Sequence, residues 1–120
     1  MARNLELEKE IIDVCRDVYF YMRNENSIFP KIFSKQGGSS ACYRKSEHAI
    51  YFRWNVWNKL CMAGKKMLVI HEMYHALGNC HKGAKLYTHQ FDVLTIEIYK
   101  RIYGEDKYYK KMIERIKELI

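Results

Sequence analysis

The sequence has no apolar run near the ~18–20 residues that a bilayer span requires; Met67-Leu68-Val69-Ile70 is typical of its longest. Its opening residues set Glu6, Glu8, Lys9 and Glu10 where a secretory leader needs a clean apolar segment, so neither leader nor membrane anchor is expected and the expected location is cytoplasmic. Proline is almost missing: Pro30 is the only one. There are four cysteines, Cys15, Cys42, Cys61 and Cys80, and no C-x-x-C pair among them. That spacing excludes a disulfide scaffold and a four-cysteine zinc site, and it makes Cys15 and Cys61 candidates for small buried apolar positions. Acids are the scarcer charge, 14 against 21 Lys plus Arg, for a formal net charge of +7 that favours polyanionic partners. What is present in quantity is apolar: 48% of 120 residues, enough for one domain spanning 1–120 with a modest core.

Periodicity divides the chain. Ile12, Cys15, Tyr19 and Met22 recur at intervals of three and four, which predicts a helix from Glu6 to about Asn24. Ile28 to Phe33 reads as a first strand and Gly37-Gly38-Ser39-Ser40 as a loop. A hairpin is expected next, with Ser40 to Tyr43 as one arm, Arg44 to Glu47 as the turn and His48 to Trp57 as the other arm. In that second arm Ile50, Phe52, Trp54 and Val56 alternate with more polar residues. A short helix over Lys59 to Ala63 is expected to break at Gly64. Lys65 to Leu77 is the most regular helix, with Met67, Ile70, Tyr74 and Leu77 as its core stripe and Gly78 as its stop. Helices over Ala84 to Tyr103 and Asp106 to Ile120 complete an α+β domain.

His71-Glu72-Met73-Tyr74-His75 lies within the regular helix and has the form H-E-x-x-H. Residues four apart share one helix face, so both imidazoles can reach one metal ion. Glu72 is turned about 100° from His71, close enough to take a proton from a water on that metal without ligating it. Zinc lowers the pKa of such a water to about 7, which makes hydrolysis workable at neutral pH.

A catalytic zinc takes three protein ligands and leaves one position open. His81 completes His71-Glu72-x-x-His75-x-x-Gly78-x-x-His81, which resembles the long zinc signature of the metzincin peptidases and the pattern of small WLM-type proteases. His89, fourteen residues beyond His75, resembles the arrangement of SprT-like proteases and minigluzincins, where the third ligand is a histidine on the next helix. Glu97, twenty-two residues beyond His75, suits a thermolysin-like pattern. His81 is the first choice, and His89 and Glu97 stay open. Metzincins carry a methionine turn downstream, whereas Met112, the only methionine after the motif, falls in a predicted helix. The chain therefore resembles a minimal zincin: a small sheet or hairpin, an active-site helix and flanking helices. The resemblance implies a zinc endopeptidase acting on protein or peptide substrates.

Four further expectations follow. The His48 to Trp57 strand is expected to be the edge strand that pairs with substrate backbone, and His48 itself a surface residue. Tyr87, Tyr99 and Tyr103 are candidates for stabilising an oxyanion, and Cys80 is a candidate thiolate for the open metal position. The Asp106 to Ile120 helix is amphipathic and could cover the cleft or mediate a homo-oligomer. Lys65, Lys66, Lys100, Arg101, Lys107, Lys110, Lys111, Arg115 and Lys117 support another reading, DNA association or a basic nucleic-acid-binding module, and the SprT-like and WLM-type proteases that this chain resembles act on protein–DNA crosslinks. A zinc hydrolase of a small molecule is the third reading.

Overall fold

The computed structural model describes residues 3–78 and 93–119. The order is α1 (Leu5–Met22), β1 (Lys31–Lys35), β2 (Ala41–Arg44), β3 (Ala49–Arg53), α2 (Trp54–Lys59), α3 (Met62–Ala76), α4 (Val93–Tyr103) and α5 (Lys107–Leu119). The fold is α+β. Among the described residues, no helix is long and apolar enough to cross a membrane.

Asn4 starts α1 by accepting the Leu7 N–H at 3.0 Å, which satisfies one of the orphan donors of the first turn. Ile11, Cys15 and Val18 then fall on one face and are fully buried. That face packs against β1 and α3. Glu8, also buried, ties the helix to the sheet through Ser34.

The sheet order is β1-β3-β2. β1 runs parallel to β3 with Ile32 opposite Ile50, and β2 runs antiparallel to β3 with Cys42 opposite Tyr51. β3 is buried through its first four residues because strands flank it on both sides. It is therefore the central strand, which corrects the expectation that His48 to Trp57 forms an edge. The strand also ends at Arg53, and Trp54 begins α2, where Trp57 is fully buried against Phe52. β1 lies three residues later than expected at its start, since Pro30 precedes it.

α3 is the central helix. Nine of its residues are buried, from Ala63 to Ala76, so it is covered nearly all round by α1, α4 and the sheet. Gly64 lies inside α3 and does not break it. A Cβ at that position would stand 3.2 Å from Leu60 Cδ2, so the glycine permits close approach. The helix ends as the sequence implies, with Gly78 in the left-handed region at φ +89° and its N–H bonded to the His75 carbonyl at 3.0 Å. Cys15 is buried as expected; Cys61 is exposed, because it stands at the N-terminal boundary of α3.

Candidate functional site

The last two turns of α3 carry His71, Glu72 and His75. The His71 and His75 rings lie on one face with centroids 5.1 Å apart and planes at 78°. His71 is 1% exposed and Glu72 3% exposed. Burial pushes the Glu72 carboxyl above the usual carboxylate range, and the charges of His71 and Lys35 only partly oppose it. A carboxylate poised in this direction is better matched to proton transfer near neutral pH than a solvated one.

Glu72 and His75 open onto a cleft of about 510 Å³, whose other described walls are Ala41, Cys42, Tyr43, Lys45, Ala76 and Gly78. One wall is thus α3 and the other is β2, an edge strand of the sheet among the described residues. The phase of the β2–β3 ladder shows which groups face the cleft. The Arg53 N–H donates to the Ser40 carbonyl at 2.9 Å, making Ser40 and Arg53 a hydrogen-bonded pair. Antiparallel pairs alternate, so Cys42 with Tyr51 and Arg44 with Ala49 are of the same kind. Ala41 and Tyr43 therefore turn their N–H and C=O groups away from β3. The Ala41 carbonyl accepts the Ser39 hydroxyl at 3.1 Å. The Ala41 N–H and both main-chain groups of Tyr43 have no partner among the described residues.

Tyr43 was outside the sequence-derived site, although it ends a predicted hairpin arm. Its hydroxyl bonds to His48 Nδ1 at 2.7 Å, while His48 Nε2 bonds to the Ile28 carbonyl at 2.7 Å. His48 holds φ +48°, a left-handed conformation uncommon outside glycine though commoner for histidine than for most residues. From a half-exposed position it thus links the cleft wall to the chain before β1.

His81, His89, Cys80 and Tyr87 lie outside the described residues. Glu97 is exposed on α4 while Thr95, Ile96, Ile98 and Tyr99 around it are buried, so it faces solvent. Among the described residues, no three His, Cys, Asp or Glu side chains converge on a common point. Tyr99 is fully buried and its hydroxyl donates to Asp106 at 3.0 Å; Tyr103 lies beneath Lys66, 3.9 Å from the ring centroid, and burial pushes its hydroxyl up to about 12. Neither lines the cleft as described. On α5, Met112 is buried and Tyr109 and Ile113 pack against the core, and no described α5 residue lines the cleft.

The donor set suits zinc as far as it is described: two imidazoles on one face, one of them buried, with an unligated carboxylate beside them. No protein-family model matches the chain, and no curated protein and no solved structure is detectably similar to it.

Proposed function

We propose that the chain is a zinc-dependent endopeptidase. The observation that carries the reading is the cleft between α3 and β2. A buried, upward-shifted carboxylate stands on one side, and unpaired strand groups at Ala41 and Tyr43 stand on the other. An extended peptide can add to β2 through main-chain hydrogen bonds, which binds backbone without demanding a side-chain sequence. Such a peptide lies along the wall opposite Glu72. Glu72 acts as the general base, receiving a proton from the attacking water and passing it to the leaving amine.

His71 and His75 would hold the zinc ion, with His81 as the proposed third ligand and His89 as the alternative. When bound, the ion supplies Lewis acidity that polarises the scissile carbonyl. The walls of the cleft orient the backbone, and the Tyr43–His48–Ile28 contacts tie β2 to the chain that leads into β1.

Glu72→Gln tests the reading. Zinc should stay near one per chain while hydrolysis of an unfolded protein substrate falls ~100- to 10,000-fold, the usual worth of a general base. Unchanged turnover, or a wild-type chain that neither binds zinc nor cleaves peptides, refutes it. The same zinc measurement on His81→Ala and His89→Ala assigns the third ligand.

A second reading, a basic nucleic-acid-binding module, draws on Lys100, Arg101, Lys107, Lys110, Lys111 and Lys117, all exposed on α4 and α5. Lys65 is instead bonded to Glu10 at 2.7 Å and Lys66 packs on Tyr103, so both are tied inward. Duplex DNA binding whose affinity falls steeply with salt would favour this reading.

A further inference from the structure

We infer that Lys35 and Arg53, with the glycine-rich loop between β1 and β2, form a binding site for a phosphate group. The two residues are register partners across the parallel β1–β3 pair, on neighbouring strands that run about 4.8 Å apart. Both therefore project from the same face of the sheet. Among the described residues, neither has a carboxylate within ion-pair distance. The other arginines at this sheet differ, because Arg3 is paired with Glu8 and Arg44 with Glu47.

Burial sharpens the imbalance. Lys35 is 8% exposed, and the partners of its ammonium are neutral: Ser39 Oγ at 3.2 Å and Cys42 Sγ at 3.7 Å. Arg53 Nη1 donates to the Gly38 carbonyl at 3.1 Å, while Arg53 Nε is buried and has no partner among the described residues. Adjacent like charges on one sheet face repel; the charge of Glu72 reaches Lys35 through space, but no described carboxylate touches the buried ammonium, and such burial is costly. An anion between them reverses both effects.

The surrounding chemistry selects phosphate. Two cations match a dianion better than a single carboxylate charge. The guanidinium still has unused donors in a planar fork, and the ammonium has one hydrogen left after its two neutral partners. The loop has the make-up of a phosphate cradle, Gly37-Gly38-Ser39-Ser40, with Gly38 in the left-handed region at φ +81°. A Cβ on Gly38 would stand 3.2 Å from Lys35 Nζ, so the glycine, suited to this φ, lets the loop close tightly over the ammonium. The sequence shows this stretch only as a loop; the cross-strand pairing with Arg53 is what turns it into a site.

The test uses the full chain after chelator treatment, so that phosphate cannot act through a metal. Inorganic phosphate is titrated at constant ionic strength against chloride, with calorimetry and Tm as readouts. Saturable binding of one phosphate per chain is expected. Lys35→Met and Arg53→Gln should each weaken it about tenfold or more, as loss of a charge-assisted contact does. Without phosphate, the Tm of Arg53→Gln should equal or exceed that of wild type, because a repulsion is relieved; this variant keeps the test decisive if Lys35→Met fails to fold. Phosphoserine serves as a second probe: binding equal to phosphate identifies a monoester as ligand, and binding of phosphate alone identifies the free anion. Absence of a saturable response, equal binding of acetate, or unchanged phosphate affinity in Arg53→Gln overturns the inference.

Discussion

Glu8 offers the most quantitative test of how α1 is held to the sheet. Its carboxylate is buried and accepts four contacts: the Ser34 N–H at 2.9 Å, the Ser34 hydroxyl at 2.7 Å, and Arg3 Nη2 and Nε at 2.6 and 3.2 Å. Ser34 sits in β1, on the outer edge of the sheet, so the carboxylate caps an edge donor that β3 does not take. Glu8→Ala leaves the Ser34 N–H, fully buried, without its acceptor, and each such orphan costs about 1–3 kcal/mol. Arg3 is 46% exposed and returns to water, so it adds nothing to the cost. The cost is therefore about 1–3 kcal/mol. At about 4 °C per kcal/mol for a chain of this size, the Tm should fall by about 4–12 °C. Glu8→Gln keeps one acceptor oxygen and should lose about a third of that.

The pH dependence supplies the refuting arm. Although burial pushes the Glu8 carboxyl up, Arg3 and Ser34 together hold it below the usual range. A depressed carboxylate stabilises above its unfolded value of about 4.3, and that stability drains away as pH falls through the folded value. Thermal melts of wild type and Glu8→Gln, both chelator-treated, should differ fully at pH 7 and converge as pH falls below about 4.3 and through the folded value. A gap within 1 °C at pH 7, or one that is constant down to pH 3, would show that the assigned interaction does not hold α1 to β1.

Glu72 carries the opposite sign. Its carboxyl is raised by burial, so in the metal-free chain its ionisation costs stability that grows as pH climbs above about 4.3 through the folded value. Chelated Glu72→Gln should melt above wild type at pH 8 and level with it at pH 4; a lower melt at pH 8 would contradict the burial argument. Depsipeptide substrates that replace the amide N–H facing the Tyr43 carbonyl should lose about tenfold in kcat/KM, whereas replacement one residue away should not. Truncation after Gly104 removes Met112 and the partly buried Tyr109 and Ile113, so it should cost about 3–5 kcal/mol of stability in urea melts. A folded truncate with higher peptidase activity would instead establish the C-terminal helix as an inhibitor.

What the sequence made legible was local. His71, Glu72 and His75 share a helix because their spacing is helical, and Gly78 ends it because left-handed backbone suits glycine. Errors arose where two local signals conflicted or where the answer was tertiary. Alternation in Ile50, Phe52, Trp54 and Val56 continues past Arg53, yet the chain turns into α2 so that Trp57 can bury its ring against Phe52. Gly64 looked like a breaker because its neighbour Leu60 across the α2–α3 junction is invisible in a linear pattern. Strand order is likewise a property of the assembled sheet. It moved the edge from His48 to Trp57 onto four residues, Ala41–Arg44, and brought Tyr43 to the cleft.

A strand that must stay unpaired to receive a guest is equally open to a second copy of its own chain. The solution visible here is brevity and charge. β2 spans only four residues, and Arg44 and Lys45 stand exposed at its end, where a parallel, in-register copy would bring like charges together. The edge can therefore accept a short peptide that lies across Tyr43, while a self-paired ladder would run into its own cations before it grew long enough to persist.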